Sequence, residues 1–454
     1  MLNSGSFRDP SGFVFTKDNQ IFRAVTFYYK ENFDFFINSG LYGELISKGL
    51  LIPHDEVDLK DFDYPNLYKV LKPEKVQFIS YPYEWCFSQL KDAALTTLKI
   101  QETALNYNMS LKDASAYNMQ FVNGKPVFID TLSFEIYKEG KPWVAYSQFC
   151  KHFLAPLSLI AYKNLELGKL LKEYIDGIPL NLTSSLLPFS KKSHFGLFMH
   201  IVMHAKAQKK FKAANIKENN KRISKNSSIG LNRSLKSTVS SIKLKHTGTT
   251  WNEYYENDTH SDIYFEDKKR LVAEFLDIAN PSGVLDLGAN TGLFTRLAAK
   301  KNINVISTDF DAMCVEKNYL LVKENHEKNI LPLILDLTNP SPAIGWANLE
   351  RQSFFNRGPF DMVMALALIH HLAIANNIPL QNIAEFFSKI CNWLIIEFIP
   401  KDDPKVQVLL NSREDIFVNY TEEKFEEAFI KYFKIVKNKL LIGNRIVFLM
   451  KNLK

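Results

Sequence analysis

A short apolar run, Gly283-Val-Leu-Asp286-Leu287, leads directly into Gly288-Ala-Asn290-Thr-Gly292, and this strand-to-turn junction constrains the chain more than any other feature. An acid at a strand's end, followed by residues that tolerate a left-handed backbone, describes a tight turn where the chain comes close to a ligand. A dinucleotide site would read G-x-G-x-x-G and keep acid out of the turn, because a pyrophosphate must fit there. Asp286 stands two residues before Gly288, which repels a pyrophosphate and suits a cationic or ammonium-bearing ligand. Four more strand-like runs follow: Ile303-Asn-Val-Ile-Ser-Thr308, Leu331-Pro-Leu-Ile-Leu335, Phe360-Asp-Met-Val-Met-Ala365 and Trp393-Leu-Ile-Ile-Glu397. Helical spacing fills the gaps between them. Near-continuous apolar strands alternating with helices predict a parallel sheet covered on both faces. Phe433-Lys-Ile-Val436 and Arg445-Ile-Val-Phe-Leu-Met450, joined across Gly443, predict an antiparallel terminal hairpin.

The expected fold class is therefore α/β, with a Rossmann-like, mostly parallel sheet over residues 250–454. In such sheets ligands bind at the carboxyl ends of the strands, near the switch point. Two further acids stand at strand ends. Asp309 follows the second strand, where a carboxylate takes both hydroxyls of a ribose. Asp336 ends the third strand, placed to receive an adenine amino group, with Phe310 and Leu337 flanking the ring. Charge-assisted hydrogen bonds of this kind contribute roughly 1.5–3 kcal/mol each.

This register of residues resembles the class I S-adenosylmethionine-dependent methyltransferases, over five strands and the terminal hairpin. The resemblance implies S-adenosyl-L-methionine as cofactor, held by Asp286, Gly288, Asn290, Gly292, Asp309, Phe310, Asp336 and Leu337. It departs at Asn290, which replaces the middle glycine and is itself able to adopt the left-handed conformation. Further phrases look like bacterial methyltransferases related to nodulation protein NoeA. These are Tyr81-Pro-Tyr-Glu-Trp85, Asn339-Pro-Ser-Pro-Ala343-Ile-Gly-Trp346, Ala365-Leu-Ala-Leu-Ile-His-His-Leu372 and Ile396-Glu-Phe-Ile-Pro-Lys401. That likeness implies the architecture and the methyl donor and leaves the acceptor open, a small molecule or a glycan-like compound.

Methyl transfer is an in-line displacement at a sulfonium, so alignment and a base beside the acceptor carry the rate. His370 and His371 after the fourth strand, and Glu397 at the end of the fifth, are the candidate catalytic residues; Glu397 reads more readily as a positioner or structural carboxylate. No N-P-P-[YF] or Pro-Cys motif is present, which argues against the usual nucleobase methylases. Trp251, Tyr254, Tyr255 and Lys268 precede the first strand, placed either to cap the ligand pocket or to pack a helix on the sheet. Arg351, Arg357 and Arg413 are candidates for an anionic acceptor or ordinary surface residues.

Residues 1–160 read as an α+β domain, with a strand at 21–27, a helix at 84–107 and a hairpin at 120–129 turning on Asn123-Gly124. The spacing of Asp113, Asn118 and Asp130 resembles aminoglycoside-phosphotransferase-type kinases. Leu111 stands where those kinases carry His, Thr131-Leu132 follows the second Asp, and no Gly-rich phosphate loop precedes it. The expectation is a degenerate kinase-like domain that recognises substrate or docks a protein partner. No metal site is expected, because Cys86, Cys150, Cys314 and Cys391 are scattered and none has zinc-ligand spacing.

Charge bears on the remaining segment. The chain carries a net charge of +7, yet residues 205–246 alone hold twelve Lys and Arg against one acid, Glu218, so the rest is slightly acidic. A globally basic coat is excluded. Asn and Ser content without interleaved aromatics predicts a helical and basic, largely solvated connector over 161–249 rather than a nucleic-acid platform. The rivals are an RNA methyltransferase using this tract, a non-catalytic partner-docking protein, and phosphotransfer by the N-terminal domain. The beginning of the chain shows no secretory h-region, and its longest apolar runs are about ten residues where a bilayer span needs roughly 20. A cytoplasmic protein without a membrane partner is expected.

Overall fold

The structure, a computed structural model, describes residues 2–192, 194–214, 223–244, 262–411 and 414–454. The chain divides into two units, Met1–Thr247 with Ala343–Gln352, and Gly248–Pro342 with Ser353–Lys454.

In the first unit β1 (Gly12–Lys17), β2 (Gln20–Thr26), β3 (His54–Val57) and β4 (Leu67–Pro73) form an antiparallel sheet in the order β1-β2-β4-β3. Alternating apolar residues bury both faces: Phe15, Phe22, Ala24 and Val70 on one, Val25, Tyr29, Phe33, Leu71 and Leu132 on the other. The helix Phe87–Asn106 buries Leu90, Ala94, Leu98, Gln101 and Leu105, a stripe at helical spacing. Two small ribbons follow, built from β5 (Met109–Leu111), β6 (Met119–Val122), β7 (Lys125–Phe128) and β8 (Phe134–Ile136), with β5 paired to β8 and β6 to β7. Asn123 and Gly124 turn the β6–β7 hairpin at φ 51° and 73°, the pair of left-handed residues a two-residue turn demands.

The segment read as a solvated connector departs from that reading. Its residues Lys225–Ser241 form a helix in which Leu235 and Val239 are fully buried and Asn232 donates from Nδ2 to the Leu98 carbonyl at 3.0 Å. Ser228, Asn232, Leu235 and Val239 lie on one helical face, a pattern that a count of charges hides. Trp251, Tyr254, Tyr255 and Arg413, and the Asn-rich stretch at 215–222, lie outside the described residues.

A second departure concerns residues 343–352, read as part of a continuous 250–454 domain but grouped with the first unit. Three contacts account for it. Arg8 donates to both Glu350 carboxylate oxygens at 3.1 and 2.5 Å, the Arg351 guanidinium lies 4.4 Å from the Tyr117 ring centre, and the Gln352 amide donates to the Tyr81 hydroxyl at 3.0 Å.

The second unit is built on β9 (Gly283–Leu287), β10 (Asn304–Asp309), β11 (Ile330–Ile334), β12 (Phe360–Ala365), β13 (Cys391–Phe398), β14 (Phe433–Leu440) and β15 (Ile446–Asn452). They form one sheet in the order β11-β10-β9-β12-β13-β15-β14. The first five are parallel and β15 and β14 run antiparallel. The helix Asp262–Ala279 places Leu271, Val272, Phe275 and Leu276 on Val284, Met362, Ile395 and Val447 of the strands. On other strand residues, Phe425 of the helix Glu422–Phe429 packs against Phe398 and Phe448. Strands sealed on both faces need no polar alternation, which is why they read as continuous apolar runs. Among the described residues no helix is long and apolar enough to cross a membrane.

Candidate functional site

Strand order reverses between β9 and β12, and a pocket of about 800 Å³ opens where their carboxyl ends meet. Asp286, one residue before the end of β9, is buried and accepts from Thr295 Oγ1 at 2.6 Å. Burial pushes its carboxyl up to about 7 despite that hydrogen bond. The turn then exposes backbone to the cavity: Gly288 has φ 71° and Asn290 takes the left-handed conformation at φ 52°.

Asp309, at the end of β10, ties this turn to the next strand. Its Oδ2 accepts the Asn290 amide at 2.8 Å and its Oδ1 accepts the Asp311 amide at 2.9 Å. Burial again dominates, raising the carboxyl to about 6. Asp336, just past β11, accepts from both the amide and the hydroxyl of Thr338, which fixes its carboxylate at the pocket wall. Phe310 leaves 57% of its surface exposed on the same wall, an apolar plane turned toward the cavity rather than into the core. Leu337 also lines it.

Gly292 is placed differently from the other turn residues. It does not line the pocket; at φ 84°, an added Cβ would stand 2.6 Å from Arg296 Nη1 and from Asn318 Oδ1. Its role is close packing of the following helix against the strand, the third task glycines serve in such turns.

Two histidines also line the pocket. His370 is buried, its Nδ1 has no hydrogen-bond partner, and its ring centre lies 4.1 Å from that of His371. Burial holds both rings below the usual imidazole range, so each is neutral and able to accept a proton. Glu397 is not among the lining residues. Its Oε2 accepts from Lys268 Nζ at 2.6 Å and the Ala367 amide at 2.7 Å, and its Oε1 accepts from the Tyr264 hydroxyl at 2.7 Å. Burial works against its charge, but the Lys268 and Arg445 cations hold its carboxyl below the usual value. It is therefore a fixed anion that positions its neighbours, among them Ala367 at an unfavourable φ of 51°.

Tyr264 and Arg445 line the pocket and were not singled out in the sequence. Arg445 donates from Nε to Asp403 at 2.8 Å and from Nη1 to the Tyr264 hydroxyl at 3.1 Å. Two signals would have found them: Tyr264 precedes Lys268 by one helical turn, and Arg445 is a charge standing directly ahead of the apolar run Ile446–Met450. Arg351 belongs to the first unit, and Arg357 lies over the Phe354 ring; neither lines this pocket.

In the first unit Asp113, Asn118 and Asp130 do converge. Asn118 donates to Ser133 Oγ at 3.2 Å, and Ser133 donates to Asp130 Oδ2 at 2.7 Å. Asp113 is raised by burial and its carboxyl is hydrogen-bonded by Ser115 and Asn118. A cation already faces Asp130: Arg23 Nη2 lies 3.0 Å from its Oδ1. Among the described residues no group of three or more His, Cys, Asp or Glu is arranged to hold a metal.

No family model matches the chain. Nodulation protein NoeA of Rhizobium meliloti (strain 1021) is 35% identical over 455 residues, covering 97% of this chain and 94% of that protein. Among solved structures, that of WbdD overlaps at a TM-score of 0.33 and 18% identity, over 46% of this chain and 45% of its own. Magnesium protoporphyrin IX methyltransferase (ChlM) from Synechocystis PCC 6803 with bound SAH overlaps at 0.32 and 15% identity, over 44% and 93%.

Proposed function

The chain belongs to the family of nodulation protein NoeA, and from that premise we propose that it is an S-adenosyl-L-methionine-dependent methyltransferase of class I acting on a small-molecule or glycan-like acceptor. The observation that carries the reading is the convergence of Asp286, Asp309 and Asp336, each at the end of its own parallel strand, on one pocket at the switch point. That donor set fits the cofactor. Asp286 offers a carboxylate to an ammonium, Asp309 to ribose hydroxyls and Asp336 to an adenine amine, while Phe310 and Leu337 flank the ring. Gly288 and Asn290 present backbone. When bound, S-adenosyl-L-methionine supplies a methyl group on a positively charged sulfur.

The chain's own part is to orient, to exclude water and to move one proton. His371, partly accessible in the pocket and neutral, is the proposed base at its ring nitrogen; His370 packs against it. Glu397 acts as a positioning residue behind the wall. Two basic residues of the 205–246 tract, Arg233 and Lys236, lie 3.9 and 3.6 Å from Glu102, which weighs against RNA as the acceptor. We assign the first unit, α+β and kinase-like in its Asp113–Asn118–Asp130 spacing, a recognition or docking role, since Arg23 neutralises Asp130. Four buried free cysteines suit a cytoplasmic location.

Calorimetric titration of the full chain with S-adenosyl-L-methionine tests the reading. Saturable binding that NAD does not compete is expected; absence of binding sinks it. Transfer of labelled methyl to extracts split into RNA, protein and small molecules then names the acceptor class, with label expected in the small-molecule fraction.

A further inference from the structure

An apolar stripe stands uncovered on the first unit. The turns Phe195–Leu197, Phe198–Met203 and His204–Ala214 run on as one helix. Its inner face is committed. Gly196, Leu197, His200, Ile201 and Val202 are buried. A Cβ on Gly196 would stand 2.0 Å from Thr238 Oγ1 of the helix Lys225–Ser241. The His200 ring is hydrogen-bonded on both sides, to the Tyr146 hydroxyl and to Ser234 Oγ, each at 2.9 Å. The helix therefore cannot rotate to hide its outer face.

That outer face is apolar. From Phe195 to Met203 every exposed residue is Phe or Met: Phe195, Phe198, Met199 and Met203. The short helix Phe189–Lys192, which touches Phe195–Leu197, adds Phe189. Phe189 and Phe195 are 88% and 73% exposed. A single exposed apolar side chain is ordinary, but five in one stretch mark a contact surface.

The charge beside the stripe has one sign. Residues 189–214 hold six Lys and no Asp or Glu. Lys206 and Lys209 follow Met203 within two turns, both are exposed, and neither has an ion-pair partner among the described residues. Apolar side chains on the outside of a helix, continued by uncompensated cations, match a surface that is negative at its face and apolar beneath. That is the chemistry of a bilayer containing anionic lipid. RNA fits less well, because these lysines lie beyond the stripe rather than between its rings, and Met offers no face on which a base can stack.

We propose that this stripe is a peripheral docking surface for an anionic membrane. Phe189, Phe195, Phe198, Met199 and Met203 enter the headgroup region, and Lys206 and Lys209 meet the lipid phosphates. Docking of this kind needs no spanning helix. It concerns the first unit alone and does not depend on the methyltransferase reading.

Flotation of the full chain with phosphatidylcholine vesicles, with and without phosphatidylglycerol, tests the proposal. The wild type should float with the anionic vesicles, less as sodium chloride is raised, and far less with the neutral ones. The double variant Phe189→Ser/Phe195→Ser should lose about tenfold or more in partition, and so should Lys206→Glu/Lys209→Glu. All four residues are exposed, so both variants should keep the wild-type melting temperature. Absence of wild-type binding to anionic vesicles overturns the proposal, as does equal binding to neutral ones or a partition that either double variant leaves unchanged. Two further outcomes overturn it by naming another occupant. One is a dimer in sedimentation that Phe189→Ser/Phe195→Ser dissolves; the other is tighter binding to single-stranded RNA than to vesicles.

Discussion

Lys268 Nζ stands 2.6 Å from Glu397 Oε2 with both side chains sealed from solvent, at 4% and 0% exposure. Removing one member of such a pair leaves a buried charge uncompensated, which costs about 3–5 kcal/mol. Glu397→Gln and Lys268→Met should each destabilise the second unit by that order. The double variant should lose less than the sum of the two. Calorimetry of the four proteins gives the coupling; strict additivity would mean the pair is a bystander. Glu397→Gln should also weaken methyl transfer more than cofactor binding, because it frees the Ala367 turn that leads to His370.

Cofactor affinity should depend on pH through Asp286. Burial raises its carboxyl to about 7 and that of Asp309 to about 6, both above the ordinary Asp value. Pairing with an ammonium requires the ionised form, so affinity should weaken as pH falls from 8 to 5.5, by at most about tenfold per unit for each group. Stability of the unliganded protein runs the other way. A carboxyl raised by folding stabilises fully below its unfolded value and loses that contribution as pH rises through 6 to 7. Melting temperatures without ligand should therefore fall over this window, and the shift produced by S-adenosyl-L-methionine should grow. A dissociation constant flat from pH 5.5 to 8 would rule out the assignment.

Asp286→Asn separates function from stability. The amide keeps an oxygen for the Thr295 hydroxyl and removes a buried charge. At pH 8 the variant should melt at or above the wild-type temperature and lose at least about tenfold in cofactor affinity, the value of one charged hydrogen bond. A variant that melts lower and binds normally would place Asp286 in the core rather than in the site.

The two turn glycines should respond differently. Gly292→Ala meets Arg296 and Asn318 at 2.6 Å in a left-handed backbone, and about 2–4 kcal/mol of stability should be lost. Gly288→Ala meets only Leu368 Cδ1, at 3.4 Å, so backbone strain of about 1–2 kcal/mol is the main cost. Asn290→Gly should fall within about 0.5 kcal/mol, since both residues accept φ 52°. Denaturant melts of the three variants check the order; equal losses at both glycines would contradict it.

What was legible in the sequence is what local chemistry encodes. The strand ends with Asp286, Asp309 and Asp336 could be read because apolar runs and turn residues are neighbours in the chain. Asn290 declared its conformation for the same reason. The Tyr264–Arg445 hydrogen bond spans 181 residues, and no local pattern marks it. The same holds for the partners of Glu397, and for residues 343–352, whose place follows from Arg8, Tyr81 and Tyr117. Composition misled at Lys225–Ser241: its Lys, Ser and Asn suggested solvent, but their phase leaves one buried face.

That face gives a last expectation. Leu235 is fully buried and the helix carrying it lies against Phe87–Asn106, bonded through Asn232 to the Leu98 carbonyl. Leu235→Ala should destabilise the first unit by about 2–4 kcal/mol, the range for a buried Leu that leaves a cavity. Lys236 on the same helix is 47% exposed beside Glu102, so Lys236→Gln should change stability by less than about 1 kcal/mol. A solvated linker would show no loss at Leu235→Ala. Thermal melts of the two variants decide between a charged spacer and a structural helix, and a silent Leu235→Ala would restore the spacer.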